Sequence, residues 1–586
     1  MNRVHGTSPE TIASPQSRII TQSLLFGLVT GLVDALLIQM DVGGRHVFYL
    51  TPWLWFWVPL IWISFCLAVG FVCLIPPLRR LALSALLAAG PGVLLISRGG
   101  PALKHGANIS TAAAIGACLI VLAFLLIAGL RLPWPRALVL RSPAIVLILC
   151  GTIVLAVGAG MSRRSGVSTA VPVRVGESQR PNVVLIFLDT MRYDDARRMS
   201  NLVRFGASAI TFENAWAPAP WTIPSHFSVL TGADPSSIDF VERFRRFPDN
   251  GVTLAQQLAE RGYTTRAVFA NPLLNPRTGF NRGFEWFEYS QSFDGCRSGL
   301  AALLHSAEFH GYIARTGICG WMSASEVVQD AIAAVDSAKR PYFLAVNFID
   351  PHAPYFIEPQ CRDSEPGRYT RSDWALFGRI SNSGGRGVLP APVSARVHSQ
   401  YQAAVRCMDR SLGQLIDYLD HQPDRRRTIV AIVGDHGEEF GEHGFVGHGN
   451  TLFSQALHVP LMVRVPGAPP RRVEDPVNIS YLHDTLLESA GVSGRNRRTL
   501  FSGSSDPVWA SVFPDLSVWS IVDRTYHVVR FADGQEEVFD TAADPSEQRP
   551  LAVNDTHVQA LTSALDTRQH IRGKSDSRFR GLGYIQ

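Results

Sequence analysis

Thr222-Ile-Pro-Ser-His226 is a stretch of this 586-residue chain whose residue types could do chemistry. Pro224 suits the first turn of a helix, where a missing N–H costs nothing, and Thr222 or Ser225 can cap the free amides there. The same helix start would offer unpaired N–H groups and a positive dipole end to an anion, and a hydroxyl held there beside a cation can lose its proton and attack phosphorus. Two other segments bring cation ligands. Asp189 follows the apolar run Asn-Val-Val-Leu-Ile-Phe-Leu that begins at Asn182, and Asp435-His436-Gly437 follows the apolar run 428–433. A carboxylate followed at once by an imidazole on a tight turn suits a divalent cation. A third run, 342–349, ends in Asp350-Pro351-His352. Each feature alone is an ordinary strand end, so any such chemistry requires that they meet.

The elements that would bring them together are legible as a pattern. The three runs are continuously apolar and rich in β-formers, as strands covered on both faces must be. Between them lie helical spacings, Leu254 with Leu258 and then Met408, Leu412, Leu415 and Leu419. Strands alternating with helices predict an α/β sheet flanked by helices. Ligands collect at the carboxyl ends of the strands in such sheets, so the acidic and His-bearing turns should aim at one rim. Residues 360–396, rich in Arg, Ser, Gly and Pro, read as a long loop. Two β runs around Asp533-Gly534, within 522–540, predict a hairpin in a small C-terminal subdomain.

Composition divides the chain unevenly. Apolar segments near 19–40, 48–74, 81–97, 109–130 and 144–160 meet the length of a transmembrane helix. Arg and Lys in the connecting loops place the N-terminus inside and everything after residue 160 outside the cell membrane, although Arg163 and Arg164 oppose this. The expected organisation is a transmembrane helical domain over 1–160, a linker over 161–180, a catalytic domain over 181–515 and a C-terminal subdomain and tail over 516–586. Asp34 inside the first segment is either functional or a partner in a hydrogen bond between helices. The net charge of +5 and the absence of a long basic run argue against nucleic acid as a partner. Of the eight cysteines, Cys296, Cys319, Cys361 and Cys407 lie in the soluble part, and proximity in sequence suggests pairing Cys296 with Cys319.

Several stretches together resemble the sulfatase family, of the alkaline phosphatase superfamily. They are PNVVLIFLDTMRYD from Pro181, TIPSHFSVLTG from Thr222, GFNRGFEWF from Gly279, NFIDPHAPY from Asn347, GDHGEEFGEHGFVGHGNTLFSQALHVPLMV from Gly434 and VFDTAADPSEQRPLA from Val538. The resemblance implies an alkaline-phosphatase-like α/β/α sandwich and a metal-activated nucleophile that attacks sulfate or phosphate esters. It makes Thr222 the nucleophile, and Asp189, Thr222, Asp435 and His436 the ligands of one divalent ion. Manganese or zinc fits the imidazole better than calcium, and magnesium is a further possibility. His226 stands where many sulfatases have Arg, a catalytic position that would hold developing charge. His352, His443 and His448 match histidines of the substrate pocket. Without the resemblance, a solvated Gly-rich loop is an equal reading of His443 and His448, and His458 reads as a packed or capping residue.

Two residues depart from the family pattern. Sulfatases oxidise a Cys or Ser at the nucleophile position to formylglycine, whose hydrate expels sulfate by collapsing to the aldehyde; Thr222 cannot give that aldehyde because its β-carbon carries a methyl group. Thr190 stands where many sulfatases have a second Asp. The pattern is closer to lipoteichoic acid synthases and lipid A phosphoethanolamine transferases, which use Thr after five spans. The expectation is a membrane-anchored enzyme that transfers or cleaves phosphate-type esters of a lipid or surface glycan. The alternatives are a sulfuric ester hydrolase and a catalytically inactive binding module.

Overall fold

The computed structural model describes residues 180–235, 251–290, 322–355, 357–361, 369–381, 384–492, 498–503, 506–512, 517–552 and 555–580, with scattered residues between 23 and 67. The chain divides into two compact units, 1–165 with 292–310 and 166–291 with 311–586. In the first, Gly27 and Gly31 are helical and four residues apart, hence on one helix face. A Cβ at Gly27 would lie 2.5 Å from the Ile63 Cα, and one at Gly31 2.3 Å from the Pro59 Cα, so two chain segments meet there backbone to backbone. The five expected spans fall almost wholly outside the described residues, as do Asp34 and the pair Cys296 and Cys319. Among the described residues no helix is long and apolar enough to cross a membrane.

The second unit carries the chemistry. Its strands are β1 (Asn182–Leu188), β2 (Ile210–Trp216), β3 (Thr264–Phe269), β4 (Trp286–Tyr289), β5 (Tyr342–Phe348), β6 (Thr428–Gly434), β7 (Glu439–Phe440), β8 (Val446–Gly447), β9 (His458–Arg464), β10 (Arg471–Val473) and β11 (Val477–Asn478). A small sheet follows, from β12 (Val508–Ser511), β13 (Trp519–Val522), β14 (Tyr526–Arg530) and β15 (Glu536–Asp540). The main sheet runs β10-β2-β9-β6-β1-β5-β3-β4, with β11 also on β2. β1 pairs in parallel with both β5 and β6, while β9 runs antiparallel between β6 and β2.

Every residue of β1, β5 and β6 is buried, which explains their unbroken apolar sequence. Side chains alternate between faces. Val184, Ile186 and Leu188 join a core that includes Val327, Val335, Met408, Leu412 and Leu415 of the helices Ala324–Ser337 and Ala391–His421. On the opposite face Phe187 lies 4.1 Å, centroid to centroid, from the His226 ring on the helix Thr222–Thr231. The result is the expected α/β/α sandwich. Each fully buried Val, Leu or Ile contributes about 1.5–3 kcal/mol, so these central strands form a rigid base for what stands at their ends.

The C-terminal sheet is antiparallel in the order β12-β13-β14-β15, and the expected hairpin is β14 with β15. It starts at Val508, ahead of the boundary expected at 516. Val558, Leu561 and Leu565 of the helix Thr556–Arg580 cover Trp519, Ile521, Val528 and Val538.

Residues 360–396 are not the expected loop. They contain the helix Arg371–Ser381 and the start of Ala391–His421. Thr370 and Asp373 exchange hydrogen bonds at the first helix's start, and Arg396 holds Asp373 by two further bonds. Trp374 and Phe377, three residues apart, stack together and reach Tyr355 and Phe440. A disulfide joins Cys361 to Cys407, 46 residues on, and ties this region to the long helix. Closing a loop of that length restricts the unfolded chain, so Cys407→Ser should lower stability by about 4 kcal/mol in urea titration. A midpoint equal to that of the parent protein would show the crosslink to be idle.

Candidate active site

The sheet register brings the acidic turns together. Leu188 of β1 lies opposite Gly434 of β6, so the next residues along, Asp189 and Asp435, stand side by side. The ladder continues through them, Asp189 N–H donating to Phe348 O at 2.9 Å and Asp435 N–H to Leu188 O at 3.4 Å. Asp435 Oδ1 accepts the N–H groups of Thr190 and His436 at 3.0 and 2.8 Å, which fixes its plane. His436 Nδ1 donates to Gly437 O at 2.9 Å, leaving the Nε2 lone pair free toward the cluster. Burial, with the neighbouring His448, holds the His436 pKa down at about 3. Gly437 is required here because a Cβ would lie 1.9 Å from Gln455 O.

Thr222 enters from the opposite side, at the first residue of its helix. Trp221 is the N-cap and no side chain caps the helix. Thr222 Oγ1 lies instead 3.4 Å from His436 Nε2, and the Ser225 hydroxyl donates to Asp435 O at 2.5 Å. The helix start therefore points its free amides and positive end at the cluster. Asp189, Asp435 and His436 each offer a ligand atom within 4.8 Å of the others, and all are buried. Asp189 Oδ1 and Asp435 Oδ2 have no hydrogen-bond partner among the described residues. Two buried carboxylates turned toward one another and toward an imidazole nitrogen are costly unless a cation sits among them. The donor set fits a divalent ion.

Two amides complete the site, and sequence reasoning did not single them out. Asn271, just beyond β3, donates through Nδ2 to Asp189 Oδ2 at 2.7 Å and to Thr222 Oγ1 at 3.3 Å. Asn347 on β5 donates to Asp189 Oδ2 at 3.3 Å. A polar residue inside the apolar run YFLAVNF was the available signal.

The comparisons with known proteins agree with this geometry. The family model described as Sulfatase matches residues 181–492, more than half of the chain. The chain belongs to the sulfatase family. A protein of Formosa agariphila named sulfatase is 26% identical over 430 residues, covering 63% of this chain and 83% of that protein. Human iduronate 2-sulfatase is 26% identical over 335 residues, covering 49% of this chain and 60% of its own length. Among solved structures, a phosphonate monoester hydrolase of Agrobacterium radiobacter superposes with a TM-score of 0.52 at 17% identity, covering 67% of this chain and 96% of that one. The second unit thus has the alkaline-phosphatase-like fold, and this sulfatase-family chain is an enzyme by its kinship.

Several expected site residues are placed differently from their family reading. Thr190 meets the cluster through its N–H alone; its hydroxyl turns away and donates to Asp189 O at 2.8 Å, with its backbone at φ 53°. His226 joins the site from beneath. Its Nδ1 lies 3.0 Å from Thr222 O and 3.2 Å from Asp435 Oδ2, and its Nε2 lies 3.3 Å from Asn347 Nδ2. With both nitrogens so engaged and no exposure, His226 props the helix start and does not face an anion. His352 and His448 do gather at the rim, the His448 ring centroid 4.9 Å from that of His352 and 4.6 Å from that of His436.

His443 is the correction among the expected pocket residues. Its ring stacks on Phe453 at 3.8 Å, and its nitrogens meet Glu547 O at 3.0 Å and Glu439 Oε2 at 3.5 Å. Burial works against a charge on His443, but the bond to Glu439 outweighs it and lifts its pKa. It anchors the turn around Glu547, whose carboxylate accepts from Ser454 N–H, while Ser546 O accepts from the Gln455 amide. His458 is packed as expected, stacked on Tyr193 and Trp216. Asp350 turns to the start of the helix Ala324–Ser337, accepting from Ala324 N–H at 3.2 Å.

Proposed function

We propose that this protein cleaves or transfers phosphate-type esters through Thr222. The observation that carries the reading is the Thr222 hydroxyl at an uncapped helix start, 3.4 Å from His436 Nε2 and bonded by Asn271 beside two unpaired carboxylate oxygens. Asp189, Asp435 and His436 would hold a divalent cation, which would lower the pKa of a neighbouring hydroxyl and offset the charge of an anionic ester. Asn271 keeps Thr222 Oγ1 as an acceptor, aimed into the site. The helix amides receive oxygens of the tetrahedral group. Thr222 Oγ attacks in line and a covalent Thr ester forms. His448 protonates the leaving oxygen, and water or an acceptor hydroxyl then releases the group from Thr222.

Sulfate-ester hydrolysis is the second reading, favoured by the named sulfatases among the relatives. Against it stands the chemistry of Thr222, which cannot collapse to an aldehyde and must release its ester by a second displacement. The location we propose is the outer face of a membrane, with a lipid or surface glycan as substrate. The apolar runs before residue 160 and the Cys361–Cys407 disulfide, at home in an oxidising compartment, support it.

Incubating the detergent-solubilised full chain with p-nitrophenyl sulfate and with a p-nitrophenyl phosphodiester separates the two readings. Faster turnover of the phosphodiester, with a phosphoryl-type mass added at Thr222 in quenched samples, is the expected outcome. Turnover of the sulfate alone would decide for the second reading.

A further inference from the structure

We infer that Glu438 is the positioning residue for His448, fixing the imidazole so that its free nitrogen hands a proton to the leaving oxygen. The inference rests on the ester-cleaving reading above. It starts from register. β7 and β8 form an antiparallel ribbon in which Glu439 lies opposite Gly447 and Phe440 opposite Val446. One step further along the same ribbon, residue 438 faces residue 448. The Glu438 carboxylate is fully buried, and its Oε1 accepts from His448 Nδ1 at 3.0 Å. Its Oε2 lies against the Tyr355 phenol, whose ionisation the Glu438 charge opposes.

A fully buried carboxylate held against an imidazole and a phenol is a costly arrangement to keep for packing alone. The backbone holds it rigidly. Glu438 N–H donates to Gln455 O at 3.0 Å, and Arg192 donates to Glu438 O at 3.2 Å. Because Nδ1–H is committed to Glu438, Nε2 is the nitrogen that turns toward His352, His436 and the substrate space. The His448 side chain is 20% exposed, so that edge can be reached.

In the step, Thr222 enters as the alkoxide, its hydroxyl proton having passed to solvent; the bond from its Oγ to the phosphorus or sulfur forms as the bond to the leaving oxygen breaks, and the water or acceptor hydroxyl that later releases the group gives its proton back to His448 Nε2. The electron pair stays on the leaving oxygen, which takes the Nε2 proton and departs as a neutral alcohol. The imidazole is left neutral, its Nδ1–H still on Glu438. An alkoxide needs this proton far more than p-nitrophenolate does, so leaving-group dependence reads the role directly.

The test uses the detergent-solubilised full chain with p-nitrophenyl phenylphosphonate against ethyl phenylphosphonate, or the matching sulfate pair if sulfate is what turns over. His448→Ala should lose about a hundredfold in kcat on the ethyl ester and under tenfold on the aryl ester. Glu438→Gln, which spoils the tautomer, should show the same split at roughly ten- to thirtyfold with KM unchanged. The double variant should be no slower than His448→Ala alone. Glu438→Asp should recover part of the ethyl-ester rate, a rescue that misfolding would not give and a comparison that survives if the Gln variant fails to fold. Equal slowing of both esters by the Glu438 substitutions, or none, beside a clear split for His448→Ala, would overturn the role of Glu438 and leave the nucleophile untouched. No split for His448→Ala would overturn the proton donor itself.

Discussion

Thr222→Ala should abolish ester turnover, with an expected loss on the order of 10⁴-fold or more and no loss of fold. The size follows from what the side chain does. A covalent route through a nucleophile cannot proceed when its attacking atom is gone, and losses at such positions reach ~10⁶-fold in other enzymes. The substitution is mild for the fold because Thr222 sits at the first residue of its helix, where its side chain caps nothing and its bonds run only to Asn271 and His436. Thermal unfolding should therefore shift little. Mass spectrometry of substrate-quenched Thr222→Ala should show no adduct on the peptide spanning the helix start. Turnover within tenfold of the parent protein would remove this residue from the chemistry.

Chelation of divalent metal should stop turnover completely and lower the melting temperature, both restored by adding metal back. The physical reason is the pair of buried oxygens, Asp189 Oδ1 and Asp435 Oδ2, that have no hydrogen-bond partner among the described residues, the second with only the His226 ring nitrogen at 3.2 Å. With an ion at a thousand times its Kd, linkage gives about 4 kcal/mol of stability, or about 5 °C for a domain of ~400 residues. Asp435→Asn should bind metal far more weakly, because an amide supplies no charge in a buried site. Its melting temperature should then be indifferent to the chelator. A parent protein that contains no metal by elemental analysis and melts identically with and without chelator would contradict the assignment of these ligands.

How far the site could be read from sequence depended on what kind of information placed each residue. Asp189, Asp435 and His436 were legible because continuous apolar runs announce buried strands, and a polar residue ending such a run stands at the rim. That β1 and β6 are neighbours in register is a property of the sheet, and it turns two separate strand ends into one cluster. Asn271 and Asn347 were missed since a single amide near a strand end looks like any turn residue until its partners are known. His443 and His448 lie five residues apart in Gly-rich sequence, which cannot say which of them turns inward. The pairing of β7 with β8 decides it, setting 448 across from 438 and leaving 443 at the bend.

The helix Arg371–Ser381 was hidden for a related reason. Its apolar contacts come from Trp374, Leu376, Phe377 and Ile380, interleaved with Arg, Ser, Asp and Gly in a composition typical of loops. The Cys361–Cys407 bridge links residues 46 apart in the chain, a pairing that closeness in sequence does not single out, while Cys296 and Cys319 lie outside the described residues.

The turn around Glu547 bears on where this enzyme ends as a working unit. Ser454 and Gln455 are bonded to Pro545, Ser546 and Glu547, and Gln455 and Ala456 in turn receive the amides of Glu438 and Gly437, directly beside His436 of the acidic cluster. The matched family region stops at residue 492, yet the support under His436 arrives some fifty residues later. A protein trimmed to the matched boundary would keep every reacting group and lose the scaffold that aims them, so the smallest competent piece of this chain must carry its tail at least through Glu547.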